Sequence, residues 1–268
     1  DRAFAAGLTA LLEVNIDARG WPRALAVAEA DPRVFLTAGI HPHDTPRAEV
    51  GDLEALARHL GHPKVRAVGE TGLDYFRDYA PHDLQRDYFR RHVALARETG
   101  LPLVIHARER PDGPSAHADI FRLLEEEGRG RVRGVLHCFS GDLEVARRAA
   151  GEGFALGLGG GITYAPKRSG PLLASIAREL GAGHFVLETD CPYLSPQPRR
   201  GERNEPAFVP LIVEALGRYL DQTPQEIVRR TDATARALFA LDPPRAATGD
   251  APFSGGAAPS GAGSGPPR

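Results

Sequence analysis

The sequence predicts an α/β chain of the (β/α)8 type, a TIM barrel from which the first strand is missing. Three observations predict it. Seven short apolar runs recur along the chain, segments with apolar residues at helical spacing lie between most of them, and 268 residues suit one such barrel. Parallel neighbours need a crossover of about a dozen residues or more, which the intervening helical segments supply.

The elements follow in order. Residues 2–7 read as the end of a helix feeding the first apolar run, 8–14. Leu25, Val27 and Ala28 form a helical face before the second run, 34–40, and Leu53, Leu56 and Leu60 another before the third, 65–70. Phe89, Val93, Leu95 and Ala96 precede the run 101–106; Ile120, Leu123 and Leu124 precede 133–138. After the run 155–159, Leu172, Leu173, Ile176 and Leu180 lead into the last, 185–190. Eight strands close such a barrel. The chain opens on Asp1 and contains no methionine, so the eighth strand is expected upstream of residue 1. Beyond Asp190 the pattern is helical, at 206–220, 224–230 and 233–241, and these segments are expected to pack outside the barrel. From Pro243 the chain is Ala, Gly, Pro and Ser with few apolar anchors. A barrel over 1–242 and a disordered tail over 243–268 are the expected division, since such a tail buries too little to offset its chain entropy.

Composition excludes some classes. No apolar stretch reaches the roughly 18 residues of a membrane span, and no basic segment followed by an apolar run marks a secretory signal. Cys138 and Cys191 form no CxxC pair, which argues against a zinc ribbon or disulfide framework and for a reducing cytoplasm. A net charge of −2 is wrong for an indiscriminate polyanion binder, though metal ions and local arginines can still hold phosphates. No coiled-coil pattern is present, and a monomer is expected.

The ends of the runs carry the chemistry. Side chains alternate between the faces of a strand, so Glu70 is expected to share a face with Val68, His106 with Val104, His137 with Val135, and Asp190 with Glu188 and Val186. The inward residues at the C-terminal mouth of such a barrel build its active site. Two imidazoles and two carboxylates meeting there suit a borderline divalent ion such as zinc or manganese. A lone His or Asp at a strand end is ordinarily a hydrogen-bonded structural residue or a helix cap; four at equivalent positions of four strands point to a metal. Glu188, one rung lower, is expected to be a buried, paired acid behind a ligand. His41 and His43, in 39-GIHPH-43, stand at the same mouth and either touch a substrate phosphate or fix the loop around Pro42. The 157-GLGGG-161 run matches no phosphate loop and is read as a strand end requiring close approach. Cys138 and Cys191 are expected to be buried small residues facing away from the ligands.

In context these residues resemble the TatD family. The runs are GETGLDYFRD at 69–78, LPLVIHARE at 101–109, GVLHCFSG at 134–141, LETDCPYLSP at 187–196 and RNEPAFV at 203–209; GIHPHD at 39–44 also fits. Their order and spacing span residues 1 to 241. The resemblance implies a metal-dependent deoxyribonuclease of the amidohydrolase-like barrel superfamily. It also implies two divalent ions (zinc, manganese or magnesium) that activate a water for phosphodiester hydrolysis, acting as exonuclease or endonuclease. The family's ligands are a His-x-His pair on the first strand, a Glu, two His and an Asp. The last four map onto Glu70, His106, His137 and Asp190, with Glu70 bridging and Asp190 helping to deprotonate the water. The His-x-His pair has no counterpart, and His41 and His43 belong to a different motif, so the chain as given is expected to bind one metal and cleave poorly. Thr71 replaces a usual aliphatic residue, and Glu202 a common lysine.

Arg108, Arg203 and Asn204 are candidates for phosphate contact or for surface salt bridging, and Asp74 and Tyr75 for lining the groove. Single-stranded DNA or DNA ends are the expected substrate. Two alternatives stand beside this: hydrolysis of another ester or amide, such as aminoacyl-tRNA, and a non-catalytic nucleic-acid-binding remnant.

Overall fold

In the computed structural model the described residues are 1–241, so the tail expected over 243–268 lies outside them. The elements run α1 (Arg2–Ala5), β1 (Leu11–Glu13), α2 (Trp21–Ala30), β2 (Val34–Ala38), α3 (Asp52–His59), β3 (Val65–Asp74), α4 (His82–Thr99) and β4 (Leu103–Arg108). There follow α5 (Ala116–Leu123), β5 (Gly134–Leu136), α6 (Leu143–Gly151), β6 (Phe154–Leu158), α7 (Pro166–Leu180), β7 (Phe185–Leu187), α8 (Val209–Leu220) and α9 (Pro224–Phe239). The seven strands pair in parallel in sequence order, β1 through β7. The result is a curled, seven-stranded part of a TIM barrel.

Local chemistry sets several boundaries. Ser115 and Asp142 cap α5 and α6 by accepting from the backbone N–H three residues on. Thr223 and Glu226 make a reciprocal capping box at the start of α9. The segments 224–230 and 233–241, expected as separate helices, are one helix, α9. No Gly or Pro interrupts Arg230-Thr231-Asp232, and Thr231 turns its hydroxyl back onto the Ile227 carbonyl. The segment 206–220 begins as a single 3-10 turn before α8.

Two apolar layers divide the core. One lies between sheet and helices and takes Val68, Leu73, Leu103, Ile105, Leu136, Leu156 and Phe185 from the strands. The other is the barrel interior, with Phe35, Ala67, Val104, Val135, Ala155 and Val186 from β2 to β7, and Leu12 of β1 packed against them. Phe239 and Leu241 complete that interior layer. The partition corrects one expectation. Val68 faces the helices, so strict alternation would have turned Glu70 outward as well.

A bulge reverses this. Gly69 pairs with Val104 and Thr71 with Ile105, leaving Glu70 as the extra residue. Inserting one residue shifts the parity of everything after it, so Glu70 and Asp74 come to the inner side. Gly69 permits the bulge: its φ is +136°, and a Cβ there would stand 3.1 Å from the Val104 Cβ.

Candidate metal centre

Glu70, buried in the bulge, is the hub. Its Oε1 lies 2.9 Å from His106 Nδ1, 3.7 Å from His41 Nε2 and 4.0 Å from His137 Nε2. The His137 Nε2 is also 3.7 Å from Asp190 Oδ1. The four expected ligands therefore stand in one connected group at the C-terminal mouth. His106 lies on the inner face of β4, two residues before its end, whereas β5 and β7 stop at Leu136 and Leu187, so His137 and Asp190 project from the loops just beyond.

Behind His106 and behind His137 stands a carboxylate. Asp74 Oδ2 is 3.1 Å from His106 Nε2 and 2.8 Å from His43 Nε2, and its Oδ1 accepts the backbone N–H of Phe76 and Arg77. Glu188 Oε2 is 2.9 Å from His137 Nδ1, and its Oε1 accepts the Cys138 N–H at 2.5 Å. Such partners fix the ring orientation and raise the basicity of a metal-binding imidazole. Gly157 makes room for Glu188, since a Cβ there would come within 2.6 Å of the Glu188 carboxyl carbon.

Charge follows this arrangement. Burial works to raise the Glu70 carboxyl, but His137, His106 and His41 outweigh it and hold it well below the usual carboxylate range. Burial works to lower His106, but Asp74 and Glu70 push it up to about 9. His137 is likewise raised well above the ordinary value, burial being outweighed chiefly by Glu188. Two protonated imidazoles thus flank an ionised carboxylate. His41 differs. Burial, then the charge on His106, lowers it to about 3, so it is neutral. Its Nδ1 accepts the His43 N–H at 3.2 Å, which leaves the proton on Nε2, facing Glu70.

The donor set fits a divalent ion. His41, Glu70 and His106 offer ligand atoms within 4.8 Å of one another, and His137, Cys138 and Glu188 do the same. Two His nitrogens and carboxylate oxygens match what zinc and manganese accept. His41 joins such a site only if its proton moves to Nδ1 and the bond from His43 is given up. The sequence places His41 at this mouth as a phosphate-contact or loop residue and withholds a ligand role because GIHPH is a separate motif; in the structure it stands in the cluster with Glu70 and His106.

Several expected contacts are corrected. Asp74 and Tyr75 do not line the groove: both are 0% exposed, because β3 continues through Asp74. Tyr75 turns outward, its hydroxyl donating to Asp119 at 2.6 Å, with its ring stacked on His82. Asn204 is also buried, its amide donating to the Tyr193 carbonyl and accepting from the Glu205 N–H. Arg108 and Arg203 are exposed. Cys191 is exposed rather than buried, and Cys138 joins the ligand cluster. Its φ of +47° ends strand alternation there. Burial pushes the Cys138 thiol up to about 12.

The chain is similar to known proteins over nearly its whole described length. The family model described as TatD related DNase matches residues 1–240. A metal-dependent hydrolase of Bacillus subtilis, YabD, is 35% identical over 90% of this chain and 91% of its own. A protein of Salmonella typhimurium named 3′-5′ ssDNA/RNA exonuclease TatD is 31% identical over 89% of this chain and 90% of its own. Among solved structures, the TatD homologue YjjV of Escherichia coli K12 superposes with a TM-score of 0.80 at 29% identity, covering 89% of each chain.

Proposed function

The chain belongs to the TatD-related DNase family of metal-dependent hydrolases, and on that premise we propose that it cleaves phosphodiester bonds of single-stranded nucleic acid, removing nucleotides from an end. The observation that carries this is Glu70 meeting three imidazoles at the barrel mouth, two of them backed by Asp74 or Glu188. The Salmonella and Pantoea vagans relatives named as 3′-5′ ssDNA/RNA exonucleases support the choice of substrate.

Glu70, His106, His137 and Asp190 would hold the divalent ions, whether zinc, manganese or magnesium. When bound, these supply Lewis acidity toward a phosphoryl oxygen and a nucleophilic water at neutral pH. The residues do the rest. Asp74 and Glu188 keep the His106 and His137 rings turned inward. Asp190, with its side chain 38% exposed, is open enough to take a proton from the attacking water. Neutral His41 turns its Nε2–H toward Glu70 and so helps to hold that carboxylate in place. Arg108, two residues beyond His106, and Arg203 are exposed and would attract phosphates flanking the reacting one. A reducing cytoplasm fits the free Cys138 and Cys191, and no helix among the described residues is long and apolar enough to cross a membrane.

The test measures nucleotide release from end-labelled single-stranded DNA with Mn2+, with chelator, and with Asp190→Asn. Release should need the metal and fall at least about 100-fold in the variant, with circular dichroism unchanged. Deacylation of charged tRNA without release of nucleotides would overturn the proposal.

A further inference from the structure

Among the described residues three aromatic rings are exposed, and all three lie on the two loops that leave β3 and β7. They are Phe76 at 38%, Tyr79 at 62% and Tyr193 at 69%. Exposing a large ring costs hydrophobic stabilisation, so exposed rings on the loops around one mouth mark a contact surface. The β7 loop carries Asp190, and the β3 loop touches the metal centre through His43. Tyr79 packs edge-on against His43, centroids 4.8 Å apart, and His43 shares Asp74 with His106. Tyr193 is three residues beyond Asp190, and its N–H donates to the Asp190 carbonyl at 2.7 Å. β3 and β7 are four places apart in the curled sheet, so the two loops leave it at well-separated points around the mouth.

The Tyr79 ring rests on His43, and the backbone that presents Tyr193 is tied down. Asn204 donates its side-chain amide to the Tyr193 carbonyl at 2.6 Å and its backbone N–H to the Pro192 carbonyl. The next turn is tied by Ser195 donating to the Glu202 carbonyl. A ring presented from a fixed backbone loses little freedom on binding. Cations flank both loops: Arg108 lies over the Phe76 ring at 4.4 Å, and Arg200 over Tyr164, whose hydroxyl donates to the Ser195 carbonyl. Flat exposed rings interleaved with guanidinium groups suit unpaired bases on a phosphate backbone. In a duplex the bases already stack on one another and offer no free face to such rings.

We propose that Tyr79 and Tyr193 are base-stacking platforms that hold an unpaired strand across the metal centre. This deepens the nuclease proposal and rests on it for the identity of the strand. The platforms select for exposed base faces and position the scissile phosphate between them.

The test uses Mn2+-loaded protein and two fluorescent oligomers of equal length, both with phosphorothioate linkages to slow cleavage. One carries thymine bases and the other is abasic. Anisotropy should show the wild type favouring the thymine oligomer at least about tenfold. Tyr79→Leu and Tyr193→Leu should each remove about tenfold of affinity for the thymine oligomer and little for the abasic one, whereas Tyr79→Phe and Tyr193→Phe keep the preference. Equal wild-type affinity for the two oligomers, or an undiminished preference in both leucine variants, overturns the platforms. Cleavage of ordinary oligo(dT) is scored separately. A protein that prefers thymine but cleaves nothing keeps the platforms and loses nuclease activity; one that cleaves but shows no base preference does the reverse.

Discussion

A methyl group on Gly157 would sit 2.6 Å from the Glu188 carboxyl carbon, and Glu188 is what holds His137 by Nδ1. Gly157→Ala must therefore displace either β6 or the carboxylate. Removing an outer carboxylate from a metal-bound histidine costs about 10- to 100-fold in metal affinity or activity. Gly157→Ala should weaken Mn2+ binding by about that factor, read by calorimetry, and Glu188→Gln should match it. Normal affinity in both variants would show that Glu188 does not orient His137. Protons provide a second reading of the same residues. Burial opposes charge on His106 and His137, but the carboxylates behind and before them keep both protonated at neutral pH. A cation must displace those protons. Adding Mn2+ to chelator-stripped protein at pH 7 in weak buffer should release protons, and affinity should climb as the pH approaches about 9, the value to which His106 is raised. Binding with no proton release would place the ion away from these rings.

At the scale of elements, α4 anchors the loop that carries His41. Its His92 is 0% exposed, accepts the Ile40 N–H at Nε2 and donates Nδ1–H to the Tyr88 carbonyl. Burial, only partly offset by that carbonyl, lowers His92 from 6.5 to about 4. The folded value is depressed, so neutral His92 contributes its full stability above about pH 6.5 and loses it progressively as the pH falls to about 4. The contribution is on the order of 3 kcal/mol. A His92→Gln variant keeps an acceptor and a donor without titrating. The wild type's advantage over it in urea unfolding should shrink from pH 7 to pH 4, and a constant difference would refute the assignment. Elements also show what could be read from sequence alone. Seven strand positions and most helices follow from apolar periodicity, and His106 and His137 from alternation against Val104 and Val135. Glu70 reached the inner face for a different reason, the bulge after Gly69, which depends on pairing with β4 and leaves no periodic trace. β3 also pairs with β4 through Asp74, and Asp74 and Tyr75 are buried where groove-lining residues were expected. The part played by His41 depends on how a loop folds back over the mouth, and no local pattern encodes that.

For the molecule as a whole, the sheet is open: among the described residues β1 and β7 occupy its two ends. α9 spans the N-terminal ends of those strands, with Thr234 donating to the Gly183 carbonyl and Arg236 to the Thr9 hydroxyl. Ala235, Leu238, Phe239 and Leu241 then enter the interior layer beside Phe35, Val104 and Val186. The last helix thus closes the interior from the end opposite the metal centre. Phe239, 4% exposed, is the largest of these side chains, and replacing a buried Phe with Ala costs about 3–5 kcal/mol. That is a large share of the roughly 5–15 kcal/mol that stabilises a typical domain. Phe239→Ala should therefore lower the denaturant midpoint sharply. Because the cavity forms at the far end of the strands, kcat measured well below the new Tm should stay within about twofold of wild type, given that only contacts near the reacting groups set the transition state. A loss under about 1 kcal/mol would mean that α9 merely lies against the sheet. A stable variant with collapsed kcat would mean instead that the interior layer transmits its packing to the mouth.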